Sequence, residues 1–425
     1  MIAYTRWLIL AGAAASTLMV AGCGSASSPT TSIATASPST VVTTTTTAAT
    51  TTGVVPSGLG AYDGIACPSM NVCVAVGGAT QQSEQLVESR TGQAAIAFSK
   101  DGGGSWSEGT LPTGLGPLNG VSCPAPDHCL AVGGVGSRAT PAPGTSGGGF
   151  ALFSKDGGAT WASGTVPSGV GPLDAVSCPT VTQCVAVGPG RQVPVPGGSS
   201  QAASGGTGLF TTDGGATWAK ISVASGVGAF YSVSCPTTSH CVTIASGQFG
   251  GDVGLLSSDG SSAWSSGTLL GDIEPDNDSD DKTSGRFSAS LPSGLGTVIG
   301  ISCASASNCV AFSAGPQGTQ TVFSNDGGSK WSLGTVPDGA GYIAAVACPA
   351  TSECVAFGSG SPGRGGALFS TDGGATWSPS SLPSGLSALY SAVSCSSASH
   401  CVTVAVRADG SDGTLLSVDG GASWS

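Results

Sequence analysis

One unit written seven times constrains this chain more than any other feature. Its first mark is a pair of cysteines in the spacing C-x5-C: Cys67/Cys73, Cys123/Cys129, Cys178/Cys184, Cys235/Cys241, Cys303/Cys309, Cys348/Cys354 and Cys395/Cys401. The flanks read V-S-C-P before and C-V-A-V-G after. Its second mark is F-S-x-D-G-G-x-x-W, with Asp and Trp at Asp101/Trp106, Asp156/Trp161, Asp213/Trp218, Asp259/Trp264, Asp326/Trp331, Asp372/Trp377 and Asp419/Trp424. A third, G-T-L-P-S-G-x-G, follows the Trp. Cys67, Cys123, Cys178 and Cys235 succeed one another at about 56 residues, a period that belongs to propellers and solenoids.

Each unit reads as four short strands. L-x-x-V-S-C is a first apolar run, C-V-A-V-G a second, A-L-F-S a third and G-T-L-P a fourth. D-G between apolar runs is a hairpin signal, because Gly accepts positive φ. No stretch carries helical periodicity. Four such strands make one propeller blade, so the expected fold is an all-β seven-bladed β-propeller over residues 53–425. The chain stops at Trp424-Ser425, so the seventh unit lacks its last strand. Gly53-Val54-Val55-Pro56-Ser57-Gly58-Leu59-Gly60 repeats the pattern of that strand ahead of the first unit. Pairing Val54 and Val55 with the last blade would close the ring 3+1 and leave no open edge.

Composition fits turns and excludes some partners. Gly accounts for 70 of 425 residues, and charged residues are 8%, against the ~25% of ordinary soluble domains. The net charge of −12 argues against nucleic acid, which requires a basic surface.

The N-terminus reads as an export signal over residues 1–22. Arg6 is a short basic region, and the apolar run from Trp7 to Gly22 is shorter than the roughly 20 residues of a spanning helix. It ends in Val20-Ala21-Gly22-Cys23, which resembles the bacterial lipobox. That resemblance implies that Cys23 is diacylated, becomes the mature N-terminus and anchors the chain outside the cytoplasm by burying acyl chains. It also accounts for the one odd cysteine of 15. The remainder of 23–52 is almost entirely Ser, Thr, Ala and Pro, a composition expected to be a disordered tether.

Export puts the cysteines where disulfides persist. C-x5-C across a hairpin sets two Cys opposite each other on adjacent strands, at a Cα separation that suits a disulfide. The competing reading is metal, because His128, His240 and His400 each precede the second Cys. Zinc wants four ligands, and only three units have the His. Disulfides are the expectation, with the His as turn residues and no metal.

The D-G-G-x-x-W unit resembles the Asp-box, or BNR repeat, of sialidases and related propellers, in all seven units. The fourth is degenerate, reading Ser258-Asp259-Gly260-Ser261-Ser262-Ala263-Trp264. The resemblance implies a structural hairpin in which Asp caps the turn and Trp packs on the blade, on the face away from any active site. The cysteine pairs are expected on the same rim as these turns, with any function on the opposite face. The repeats also resemble those of photosystem II assembly-factor propellers, which act as scaffolds; the basic patch of those is absent here.

A sialidase-like catalytic set would need three Arg, a Tyr–Glu pair and an Asp acid. Arg90, Arg138, Arg191, Arg286, Arg364 and Arg407 lie in the body, five of them in Gly/Ser/Pro-rich loops that hold geometry poorly. Glu84, Glu88, Glu108, Glu274 and Glu353 include none embedded in an apolar strand, and Tyr231 and Tyr390 have no evident Glu partner. No catalytic residue carries over. Ligand-binding candidates come from the position four before the first Cys, at the start of the strand that lines a propeller channel. These are Asp63, Asn119, Asp174, Tyr231, Ile299, Ala344 and Ser391, with polar or aromatic groups in the first four.

One insertion, Gly271 to Ala289, splits the fourth unit's last strand and carries Asp276, Asp278 and Asp280 in the alternation of a calcium loop. Asp281 and Phe287 stand where that loop requires Gly and Glu, so a solvated acidic loop is favoured and Ca²⁺ is the alternative. The expected function is a non-catalytic, monomeric, membrane-anchored propeller that binds a glycan, peptide or envelope protein. A sialidase-like glycoside hydrolase is the alternative.

Overall fold

The computed structural model describes residues 61–78, 93–134, 148–189, 192–193, 202–203, 205–223, 227–247, 252–257, 265–270, 295, 297–315, 318–359, 366–407, 409 and 411–425. The expected signal and tether, Cys23, Val54/Val55, the degenerate Asp259 turn and the acidic insertion lie outside them.

All regular elements among the described residues are strands, arranged as a β-propeller. The first sheet sets the pattern: Ala61–Ala66, Cys73–Gly78, Ala94–Ser99 and Ser107–Glu108 pair antiparallel in chain order. Alternating small and β-branched residues build it, and Val74, Ala75, Val76 and Ile96 are fully buried.

Six four-stranded blades are complete, where seven were expected. The seventh unit forms a three-stranded sheet of Leu386–Cys395, Cys401–Arg407 and Asp412–Ser417. No fourth strand pairs with it among the described residues, and the segment expected to supply one lies outside them. A small extra hairpin, Gln192–Val193 with Ala202–Ala203, stands between the third unit's second and third strands.

The outermost strand also differs from expectation. It is the two exposed residues directly after the Trp, such as Ser107–Glu108 or Ala162–Ser163, and not G-T-L-P. In four places the Thr or Ser expected in that strand instead makes a parallel bridge to the next blade: Thr110 with Thr160, Thr165 with Thr217, Thr335 with Thr376 and Ser381 with Ser423. Among the described residues, only the fourth sheet keeps this segment, Gly267-Thr268-Leu269-Leu270, in its outer strand, Ser265–Leu270.

The core lies between sheets. Val74, Val76 and Ile96 of the first sheet pack with Leu118, Cys129 and Trp161 of the second. The same arrangement recurs around the fold, ending with Val355 and Phe357 of the sixth sheet against Val393, Cys401 and Trp424 of the last. The last sheet also meets the first: Val402, Val404 and Ala392 share a cluster with Tyr62, Ile65 and Trp106.

The cysteine pairs are seven disulfides, Cys67–Cys73, Cys123–Cys129, Cys178–Cys184, Cys235–Cys241, Cys303–Cys309, Cys348–Cys354 and Cys395–Cys401, each with a Cα separation of 4.0–4.1 Å. The sulfurs bond one another, which removes the thiolates a zinc site would need.

Where the Asp-box turn is described, the hairpin each pair closes lies against the turn of its own unit, on the rim where it was expected: the first box Gly donates its N–H to that hairpin, as Gly102 to Asn71, Gly157 to Asp127 and Gly214 to Thr182. The second Cys of every pair is a core residue: Cys73, Cys129, Cys184, Cys241 and Cys401 are fully buried, and Cys309 and Cys354 are 1% exposed. Cys184 packs with Leu173, Val176 and Trp218, Cys241 with Phe230 and Val233, and Cys309 with Val298, Ile301 and Trp331. The reason is position in the blade. Each second Cys belongs to the second strand, which lies between the first and third strands of its sheet and is covered by neighbouring sheets on its faces. A disulfide half-cystine packs there as a small apolar group. The first Cys of the pair is buried at Cys67, Cys235 and Cys348 and half-buried at Cys123, Cys178 and Cys303.

Candidate functional site

The inner strands line a central channel with a cavity of ≈ 250 Å³. Asp63, Asn119, Asp174 and Tyr231, from the first four units, all line it, with Ile299 and Ala344 completing the wall. The side chain of Ser391 lies outside the described residues; the last sheet contributes Ala392 and Val393.

The inner strands aim these residues by breaking their ladders. Asp63 falls between Tyr62, paired with Gly77, and Gly64, paired with Val76, so it is the extra residue of a β-bulge. Asn119, Tyr231, Ile299 and Ala344 occupy the same irregularity in their sheets. A bulge frees one residue from the pleat and turns its side chain, here towards the channel. Neighbouring inner strands crowd behind it: a Cβ on Gly120 would stand 3.0 Å from the Asp174 carbonyl oxygen.

The polar wall is joined across a seam. Asn119 Nδ2 donates to the Leu173 carbonyl at 2.9 Å and to Asp174 Oδ1 at 3.3 Å. Asp63, Asn119, Asp174 and Tyr231 are half-buried. The result is a small channel with two carboxylates, an amide and a phenol on one side and aliphatic groups on the other. Such a surface can hold a cationic or N–H-bearing group against the carboxylates and an alkyl stem against Ile299.

The Asp-box turns are structural. In the first, Ser99 Oγ donates to Asp101 Oδ1 at 2.8 Å and accepts from Gly103 N at 2.8 Å; Asp101 accepts from Ser105 N and Ser105 Oγ. Trp106 Nε1 donates to the Gly103 carbonyl at 3.1 Å. Burial pushes the carboxyls of Asp101, Asp156, Asp372 and Asp419 up, but hydrogen bonds outweigh it and hold them below the usual value. For Asp213 the bonds from Thr217 lead.

Both Gly of the turn have positive φ, and each serves a contact. Gly102 N donates to the Asn71 carbonyl of its own hairpin at 2.7 Å. The second Gly lies against the preceding sheet: a Cβ on Gly158 would be 2.7 Å from Val74 Cγ2. The six described turn Trp are 5–9% exposed at these seams, and Trp377 and Trp424 meet Phe312 and Phe357 edge-on at 4.8 and 4.6 Å.

A serine ring escaped the sequence reading. Ser122, Ser177, Ser234, Ser302 and Ser394 each accept a hydrogen bond, at 2.9–3.1 Å, from the backbone N–H of the next sheet's first Cys. The signal was present in V-S-C, where a hydroxyl interrupts an apolar run. Ala66 and Ala347 hold that position in the other two units.

Of the six arginines of the expected propeller body only Arg407 is described, and it lies in the last sheet and does not line the channel. Glu108 is exposed on an outermost strand and Glu353 lies beside Ser352, so neither meets Tyr231.

The BNR/Asp-box repeat family model matches residues 368–379, the turn that holds Asp372 and Trp377. No curated protein matches the chain. Among solved structures, YCF48 bound to D1 peptide has a TM-score of 0.51 at 16% identity, covering 86% of this chain and 95% of that one. YCF48 from Cyanidioschyzon merolae has a TM-score of 0.50 at 16% identity, covering 86% and 97%. The Hadza microbial sialidase Hz136 has a TM-score of 0.43 at 14% identity, covering 70% and 63%. The chain is a β-propeller that carries BNR/Asp-box repeats and shares its fold with the YCF48 propellers.

Proposed function

We propose that this protein is a non-catalytic binding propeller, and that its ligand is a peptide segment of an envelope or secreted protein, held at the polar wall of the channel. The convergence of Asp63, Asn119, Asp174 and Tyr231 on one wall, opposite Ile299 and Ala344, carries this reading. Two carboxylates beside an aliphatic wall favour a segment with a Lys or Arg side chain. A YCF48 propeller has been solved with a D1 peptide, which makes a peptide a better first choice than a glycan for this fold.

In this reading Cys23 is acylated and residues 24–52 tether the propeller outside the cytoplasm. Val54 and Val55 complete the last sheet as its fourth strand, making seven full blades with 3+1 closure. The sialidase-like alternative draws no support from the described residues.

A peptide array and a glycan array, each probed with the full chain, test the function. Peptide capture that falls at least tenfold in an Asp63→Asn/Asp174→Asn double variant supports it. Capture of glycans alone, or capture indifferent to both substitutions, overturns it. Release of a Cys23→Ala variant from membranes into the medium tests the anchor.

A further inference from the structure

The chain has three His, and two of them reach across seams to the next sheet's Asp-box turn. His240 Nε2 lies 3.1 Å from the Gly327 carbonyl oxygen, joining the fourth unit to the fifth. His400 occupies the corresponding place between the last sheet and the first, with Nε2 3.7 Å from the Cβ position of Gly102. There the imidazole is buried, 8% exposed, and Nε2 has no hydrogen-bond partner. The same residue in the same motif is thus paired at one seam and buried unpaired at another.

Among the described residues no charged group pairs with His400. His400 sits among the first sheet's box turn and hairpin and the last sheet's own hairpin and box turn. The charged groups on these are Lys100, Asp101 and Asp419. Lys100 Nζ lies 5.5 Å from the Phe98 ring centroid. Asp101 is engaged by Ser99 and Ser105, and Asp419 by Ser417 and Ser423. The cysteines of both hairpins are in disulfides. An imidazolium here would be a buried charge without a partner, which a folded chain avoids by giving up the proton or by opening.

We propose that His400 is an acid-sensitive latch between the last and first sheets: its protonation loosens that seam and the channel wall that carries Asp63. Other ties across this seam include the Ser394–Cys67 bond, the 2.8 Å bond from Thr414 Oγ1 to the Gly103 carbonyl, and the packing of Ala392, Val402 and Val404 on Tyr62, Ile65 and Trp106. Burial already holds His400 below the usual imidazole range, the direction this requires. The latch is intact above the unfolded value of about 6.5. As pH falls below that, the unfolded chain takes up the proton first. The folding constant then drops by up to about tenfold per pH unit until the native group also titrates.

Proton NMR on the full chain resolves the ring signals of His128, His240 and His400 and reads each titration directly. Urea unfolding at pH 7.5 and 5.5 compares the native chain with His400→Gln and His240→Gln. The native chain and His240→Gln should lose folding constant over this interval, by up to about tenfold, and His400→Gln should not. Hydrogen exchange, corrected for pH, should rise in 61–66 and 401–407 ahead of 297–303. A His400 signal that titrates at the usual value overturns the latch, as does a His400→Gln variant as acid-sensitive as the native chain. Should His400→Gln fail to fold, the NMR titration and the exchange pattern of the native chain decide the matter.

Discussion

Ser394 Oγ accepts a hydrogen bond from the backbone N–H of Cys67 at 2.9 Å, joining positions 327 residues apart. The bond ties the last sheet to the first at its inner strand, where no strand pairing can. Four other serines make the same bond between neighbouring sheets. A single intramolecular hydrogen bond contributes about 1 kcal/mol net. Ser394→Ala should therefore lower the urea unfolding free energy by about 1 kcal/mol. Ala347→Ser should raise it by a similar amount, because Ala347 stands where Ser302 stands one sheet earlier. No gain in that variant would mean that the amide of Cys395 is already served.

The second Gly of each box turn faces two demands, and two substitutions separate them. Gly421 has φ 90° and a Cβ there would collide with Val355. Gly385 has φ 87° and nothing within 4 Å of its Cβ position. Gly385→Ala should cost about 1 kcal/mol, the conformational part alone. Gly421→Ala should cost about 2–4 kcal/mol, since overpacking adds to it. Equal costs in thermal unfolding would show that the seam yields to an added methyl.

Acid should act on the box turns in a lower range than on His400. Asp101, Asp156, Asp213, Asp372 and Asp419 are held below the usual value of 3.8 by their serine and threonine partners. A depressed carboxylate stabilises the fold above its unfolded pKa, and that contribution is lost as pH falls through the folded pKa. Stability should thus drop below pH 3.8, and an Asp372→Asn variant should show a shallower drop there. An identical slope in urea midpoints between pH 5 and 2.5 would sink this account.

Each disulfide closes a short loop, with a sequence separation of 6. Replacing Cys348 and Cys354 by Ser should lower stability by roughly 2 kcal/mol through the loop alone. Burying the Cys354 position as a hydroxyl adds to that loss, so a Cys348→Ala/Cys354→Ala pair should be the milder of the two. Adding EDTA to the native chain should leave its unfolding midpoint unchanged, because the sulfurs are bonded to each other.

The readable parts of this fold are those written inside one unit. The C-x5-C hairpin and the F-S-x-D-G-G turn each place both partners within a few residues, so their pairing follows from pattern alone. Strand period and turn glycines then give three of the four strands correctly. The outermost strand was misread because Ser107–Glu108 is exposed and carries no apolar signal, whereas Gly109-Thr110-Leu111-Pro112 looks like a strand. Thr110 is in fact spent on the next blade, donating to the Ala159 carbonyl at 2.8 Å and accepting from Trp161 N. The burial of Cys184, Cys241 and Cys309 was not legible for a related reason: the hairpin fixes their partners, but only the neighbouring sheets cover them. The channel residues were legible by their fixed offset from the first Cys, but the bulge that turns Asp63 and Asn119 inward was not. A bulge depends on the partner strand's register as much as on its own residues.

By itself the sequence determined the strand-forming segments, the turn chemistry, the cysteine partners and the repeat of one unit around a common plan. These are local consequences of side-chain period and backbone preference. The tertiary structure alone decided what happens between units: which serine meets which amide, why the second box Gly cannot carry a methyl, and why His240 is paired while His400 is not. It also brought Asp63, Asn119, Asp174 and Tyr231 to one wall. Residues more than fifty positions apart meet only when the sheets pack in a circle, and no period within a unit encodes that closure.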